Sequence, residues 1–336
     1  MKKTTLNLFI ILVLIALVWC LFFRTDAGCA KHKKVQFNFP DTASISSLFM
    51  ADMSGHQVTL KRKTPRRWIL NGSYEARKQE INTLLQTLAQ MKIKNPVPER
   101  ARENVSKSMA TVNTKVELYD SDGDLIKSFY VGPPNEKMNG NFMKAEGSDD
   151  LYLVHIPGFD GQLGTRFFVE EAAWRDRTVF QVSPADFSSV TVLYPDKPDS
   201  SFMLVRNKRD SFKLLRPESN AQLISKIDQR TARTYASYFK QLKFEVLANE
   251  IDKRDSIINS TPYCTIAVEK QDGEKQTLIL YYKPVDKRTK AQINESGEAL
   301  PSDLDRWYGL VNEGRDFVII QTFVFGKVLV GPRIFR

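Results

Sequence analysis

The feature that most constrains this chain is that it states one domain twice. Segments with the same strand and helix patterning recur in the same order, at offsets that grow along the chain, so the fold must satisfy both copies. "FNFP" from Phe37 returns as "FQVSP" from Phe180. Ser46, Ser47 and Leu48 match Ser188, Ser189 and Val190 at an offset of 142, and "RWILN" around Trp68 matches "SFKLL" around Phe212 at 144. These stretches alternate as half-buried strands do. Ile81, Leu84, Leu85 and Leu88 stand at i, i+3, i+4 and i+7 and predict a core-facing helix over 81–91. Tyr235, Tyr238, Phe239 and Leu242 repeat the stripe at an offset of 154 and predict its twin over 235–242. Next come "KVELYDSDGDLIKSFYV" and "CTIAVEKQDGEKQTLILYY", hairpins turning 150 residues apart at Asp122-Gly123 and Asp272-Gly273, where glycine supplies the positive φ of a tight turn. Phe142 leads to "DLYLVHIPGF" as Tyr308 leads to "DFVIIQTFVF", at 166. Gly164, Thr165, Arg166 and Phe168 then find Gly331, Pro332, Arg333 and Phe335 at 167. An offset that drifts upward, from 142 to 167, with the order kept is duplication with loop insertions.

Each copy therefore reads as an α+β unit, a mostly antiparallel sheet with one main helix packed on one face. The predicted organisation is a transmembrane anchor and basic stem over 1–35, a first repeat over 36–169, a connector over 170–186 and a second repeat over 187–336. The chain is expected to end where its second copy ends. Trp174 and Phe180 make the connector a short helix or turn that docks one copy onto the next, since a flexible linker would lack them. In the closing segments, Phe168 and Phe335 are expected to finish each core while Arg166 and Arg333 pair with acids or carbonyls at the sheet edge.

Ahead of the repeats, "TTLNLFIILVLIALVWCLFF" runs from Thr4 to Phe23 without a charge. As a helix its 20 residues reach ~30 Å, a bilayer core, which predicts a single membrane span. A cleaved signal peptide is the rival, because Lys2 and Lys3 would serve as its basic start, but its apolar run is normally ~7 to 15 residues. Lipid attachment at Cys29 would want Leu where Asp26 stands. Lys2 and Lys3 favour a cytoplasmic N-terminus, whereas Arg24, Lys31, Lys33 and Lys34 pull the other way. Long domains translocate regardless of charge, so the bulk of the chain is expected in the periplasm. Cys20, Cys29 and Cys264 are too few and too scattered for a disulfide or metal framework.

The net charge of +10 is spread as "KRK", "PRR", "RNKR" and "DKRTK" among acids, with no basic helix or stacking motif, so it suits anionic headgroups rather than nucleic acid. His32, His56 and His155 stand far apart, and no G-x-S-x-G turn accompanies them. "YDSDGD" opens like a calcium loop but has Leu125 where glycine belongs and Val131 where the bidentate glutamate belongs. "GPPNEKMNG" lacks the Lys-Ser or Lys-Thr ending of a phosphate cradle. It reads as a mobile loop joining two strands, and Pro133, Pro134, Asn135 and Met138 are its candidate partner-binding residues. No catalytic, cofactor-binding or metal-binding residue is expected.

The order "RWIL", "LLQTL", a DG hairpin, "WRDRTVF" and a closing "DRWYGLVNEGRDFVIIQTFVFGKVL" resembles the bacterial family known as domain of unknown function 4340, in its Bacteroides-type, membrane-anchored form. The resemblance implies an envelope partner, since members stand beside ABC-transporter permease and auxiliary components of the gliding-motility type, and it carries no catalytic residue. The resulting expectation is a non-enzymatic, membrane-anchored binding protein that serves such an assembly. The rival is an envelope hydrolase using a site such as His155.

Overall fold

The computed structural model describes residues 35–207, 209–217, 223–287 and 289–336. The expected transmembrane helix lies outside the described residues, and among those described no helix is long and apolar enough to cross a membrane. The chain divides into two compact units between Arg175 and Asp176.

Unit 1 runs β1 (Ser47–Asp52), β2 (Gln57–Thr64), β3 (Arg67–Leu70), β4 (Tyr74–Glu75), α1 (Lys78–Gln90), β5 (Lys92–Pro96), α2 (Glu99–Thr111), β6 (Thr114–Tyr119), β7 (Leu125–Pro134), β8 (Asn141–Ala145), β9 (Leu151–His155) and α3 (Glu171–Trp174). Its nine strands form one antiparallel sheet in the order β4-β3-β2-β1-β6-β7-β8-β9-β5. Alternation sends Leu48, Met50, Val116, Leu118 and Phe129 to one face, where Ile81, Leu84 and Leu88 of α1 cover them.

Unit 2 runs β10 (Thr178–Phe180), β11 (Phe187–Leu193), β12 (Phe202–Arg206), β13 (Phe212–Leu215), β14 (Leu223–Ser225), α4 (Gln229–Ser237), β15 (Leu242–Lys243), β16 (Val246–Leu247), α5 (Arg254–Ile258), β17 (Cys264–Lys270), β18 (Lys275–Tyr282), β19 (Arg306–Val311), β20 (Asp316–Gln321) and α6 (Thr322–Phe325). Its sheet order is β14-β13-β12-β11-β17-β18-β19-β20-β16, the same path as unit 1, with β10 and β15 paired separately.

Strand register ties the copies residue to residue. Leu48 pairs with Leu60 and Leu118, as Val190 pairs with Leu204 and Val268. Trp68 stands opposite Arg62, as Phe212 stands opposite Arg206. These two arginines do the same work. Arg62 donates to the carbonyls of Thr42 at 2.6 Å and Ile45 at 2.8 Å, and Arg206 donates to those of Pro184 at 2.7 Å and Ala185 at 3.0 Å. Each clamps the segment entering its first core strand.

Two expectations need correction. The helices are in a different register from the predicted one, because α1 is entered at Arg77 and α4 at Asp228, an offset of 151. Leu88 therefore answers Phe239, not Leu242; Phe39 N–H donates to the Leu88 carbonyl as Val182 N–H donates to that of Phe239. A slip of three residues is close to one helical turn, so the apolar stripe falls back on itself and hides the error. Nor is there only one main helix. The 13-residue α2 packs Val105 and Met109 against Val97 and Leu151 on the opposite sheet face. In unit 2 the five-residue α5 sits in that place, near Ala248, Tyr281, Leu310 and Phe317. Helices thus lie on both faces, and the α+β class stands. In the predicted connector, Trp174 is buried in the core of unit 1 and Phe180 in that of unit 2.

Candidate functional site

Equivalent strands carry the shared architecture, so a site peculiar to this chain belongs where the copies part. They part furthest at one hairpin. Val131 pairs with Met143 as Leu280 pairs with Gly309, so the offset is 149 entering the β7–β8 hairpin and 166 leaving it. Unit 2 carries the extra residues between β18 and β19.

In unit 1 this end is closed tightly. Gly132 is required there, since a Cβ would come 2.6 Å from Met109 Cγ of α2. Pro133 and Pro134 are half-buried at the end of β7, and Asn135 N–H donates to the Gly140 carbonyl at 3.1 Å. The Asn135 side chain accepts from Asn139 N–H at 3.0 Å and donates to Asn139 Oδ1 at 3.0 Å. Met138 tops the turn at φ 55° with its side chain exposed. The expected mobile loop is a hydrogen-bonded hairpin end. Beneath it Asn141, buried, donates to the Gly132 carbonyl at 2.8 Å and accepts from the N–H groups of Leu163 at 2.6 Å and Gly164 at 3.0 Å.

In unit 2 the longer connection is pinned by an ionic cluster. Lys283 Nζ stands 2.7 Å from Asp286 Oδ2 and 3.3 Å from Asp303 Oδ2, and Thr289 Oγ1 donates to that same Asp303 oxygen at 3.2 Å. Lys283, Thr289 and Asp303 are all buried. Burial alone would push the Lys283 ammonium down; its hydrogen bonds to Asp286 and Asp303 more than reverse this and raise it. Alongside, Trp307 lies stacked 4.2 Å from Tyr263 with half-exposed Tyr282 beside both rings. Arg306 grips Glu245 with two bonds of 2.8 and 3.0 Å, which holds that carboxyl below its usual range. Sequence reasoning singled out none of these residues as a site. The step in the repeat offset between the DG hairpin and the following strand was the signal that an insertion stands there.

The closing segment of unit 1 starts at Gly164, already bonded to Asn141. Arg166 donates to Thr87 Oγ1 at 2.9 Å and lies 4.3 Å over the Phe159 ring, while Phe168 stacks on Trp174 at 4.3 Å. Phe335 is fully buried, its ring 5.3 Å from those of Phe202 and Tyr235, and Arg333 is exposed. Asp228 N–H donates to the Phe335 carbonyl at 2.7 Å, whereas in unit 1 Arg77 N–H finds Trp174 at 2.7 Å. At the helix entrance, then, the unit 1 counterpart of Phe335 is Trp174 and not the predicted Phe168.

The remaining reactive groups are dispersed. Burial and then Lys94 and Lys92 hold the His155 imidazole below its ordinary value, and Lys92 is its cross-strand neighbour. His56 bonds Asp52 at 3.0 Å on an exposed turn. Asp120 Oδ1 accepts from the N–H groups of Asp122 at 3.0 Å and Asp124 at 2.9 Å, the geometry of an Asx turn. Burial pushes the Cys264 thiol up to about 12. Among the described residues no three His, Cys, Asp or Glu side chains gather as metal ligands.

A family model described as "Domain of unknown function (DUF4340)" matches residues 41–259, from ahead of β1 to just past α5. No curated protein and no solved structure matches the chain. Since the matched segment takes in well over half of the sequence, the chain belongs to the DUF4340 family.

Proposed function

We propose that this is a non-enzymatic, single-pass protein of the inner membrane, its bulk in the periplasm, that works by binding as an accessory of an ABC-transporter-like assembly of the gliding-motility type. The observation that carries the anchoring is where the charge sits. Residues 1–34 hold six Lys and Arg against one Asp, flanking an uncharged run of 20 residues, while acids and bases are nearly balanced over the rest. Such a segment pairs apolar burial in the bilayer with attraction to anionic headgroups. The binding role is supported by the hairpin end at which the copies differ, built from ordered turns, half-exposed aromatics and a buried ionic pin.

Two measurements test it. The protein should stay with the membrane through carbonate and high-salt washing, because buried apolar residues neither titrate nor screen; release by salt would refute the anchor. Affinity capture of the tagged chain from detergent-solubilised membranes should recover permease and ATPase subunits. A chain recovered alone with hydrolytic activity that His155→Gln removes would establish the hydrolase instead.

A further inference from the structure

On the outer face of the unit 2 sheet, away from α4, one row is uncharged over a width of five strands. Leu215, Met203, Thr191, Ala267 and Thr277 are cross-strand neighbours in a single row over β13, β12, β11, β17 and β18. All are half-exposed. The next row holds exposed Leu193 and Thr265, and ends at Ile279, where the cluster beneath α5 begins.

Unit 1 shows what this surface looks like when it meets water. The positions of Thr265 and Ala267 are taken there by Lys115 and Glu117, 2.8 Å apart, with Glu146 3.2 Å from Lys115. Tyr119 donates to Glu117 at 2.6 Å, and Ser128 to Glu146 at 2.9 Å. At matched register Lys115, Glu117 and Ser128 of this solvated ionic lattice are replaced by Thr265, Ala267 and Thr277, while Tyr119 gives way to Glu269. A partly apolar sheet face with an uncharged row through it is a surface for packing.

We propose that this face pairs with the same face of a second copy of the chain. The adjacent row identifies the partner. It reads Lys213, Val205, Ser189 and Glu269 over β13, β12, β11 and β17, with a base at one end and an acid at the other. Both charged side chains are exposed and neither has an ion pair among the described residues; Glu269 accepts only a 3.4 Å hydrogen bond from Ser189. A two-fold axis parallel to the strands, between β12 and β11, sets Lys213 against the partner's Glu269 and repeats the contact by symmetry. Lys275, one strand beyond Glu269, comes opposite the edge strand β14 and leaves that contact free. Met203 then lies over the partner's Thr191, small against large across the centre.

The patch spans five strands at ~4.8 Å and about three rows at ~7 Å, so roughly 500 Å² per copy is covered, at the low end for specific complexes. The dimer is accordingly weak and reversible, with micromolar affinity. The inference is independent of the anchoring and transporter reading.

The test is sedimentation velocity on the full chain in density-matched detergent, from about 1 to about 100 µM, the range that brackets such an affinity. The wild-type dimer fraction should rise across it. Lys213→Glu and Glu269→Lys should each weaken the dimer about tenfold or more by setting like charges together, and the double variant should regain wild-type affinity. Ala267→Arg, a charge in the centre of the row, should leave monomer only. A monomer at every concentration overturns the proposal, and so does a dimer whose charge swap fails to rescue. Lys213 and Glu269 are solvent-exposed, so the swap decides the matter even if Ala267→Arg misfolds, which circular dichroism will report.

Discussion

Replacing Asn141 by alanine should unfold unit 1 at markedly lower denaturant while leaving unit 2 untouched. Asn141 is 1% exposed and holds three backbone groups: the Gly132 carbonyl at 2.8 Å and the N–H groups of Leu163 at 2.6 Å and Gly164 at 3.0 Å. Alanine leaves all three without a partner. Each buried polar group so orphaned costs ~1–3 kcal/mol, and one water entering the vacated space recovers part of that, so a loss of about 4 kcal/mol is expected. With a urea slope of ~2 kcal/mol/M, the unit 1 midpoint falls by about 2 M. Tryptophan fluorescence separates the units, because Trp68 and Trp174 lie in unit 1 and Trp307 in unit 2; a Trp19→Phe, Trp307→Phe background silences everything outside unit 1. Asn141→Asp should lose less, since its oxygen still accepts from Leu163 and Gly164. A midpoint shift below about 0.3 M in that background, or an equal shift of the Trp307 transition in a chain that keeps Trp307, would refute the reasoning.

The other predictions concern single groups. Phe335→Ala should destabilise unit 2 by about 3–5 kcal/mol through the cavity left beside Phe202 and Tyr235, read from the Trp307 transition. Cys264, its thiol raised to about 12 by burial, should resist Ellman's reagent at pH 8 in a Cys20→Ser, Cys29→Ser background and react only at the rate of unfolding. The His155 imidazole should titrate below its ordinary 6.5 in an NMR pH series. Because the folded value is the lower one, its contribution is present above the unfolded value and is lost as pH falls through the folded one, so unit 1 should weaken on acidification in a way that His155→Gln reduces.

What could be read from the sequence follows from periodicity. A strand slipped by one residue sends its whole apolar set to the wrong face, so the offsets of 142 and 150 around Leu48 and Leu118 could be found without coordinates and agree with the paired register. A helix slipped by three keeps its stripe, and it takes the helix entrances at Arg77 and Asp228 and the bond of Val182 N–H to the Phe239 carbonyl to fix α4 against α1. The helix α2 was hidden for another reason. It buries Val105 and Met109 alone, four residues apart on an otherwise polar segment entered through Pro96 and Pro98, which reads as loop. The pin at Lys283 had no local signature, since its partners Asp286, Thr289 and Asp303 come from 20 residues of chain that only tertiary folding brings together.

The two copies share the constraints of a core and differ where nothing in the core constrains them, so their differences record separate uses. Unit 1 keeps a short hairpin, a long α2 and an ionic lattice on its outer face; unit 2 has a long pinned connection, a short α5 and an uncharged row in place of that lattice. If the second copy existed only to enlarge the scaffold, its solvent face would be under the same pressure towards charge as the first. Thr265 and Ala267 in place of Lys115 and Glu117 argue that it is covered. Much of what is peculiar to unit 2, including Ala267, the Lys283 pin and Trp307, lies beyond Asn259, where the family match ends. A role assigned to the matched region of another member would therefore not carry these residues with it, and their function has to be measured on this chain.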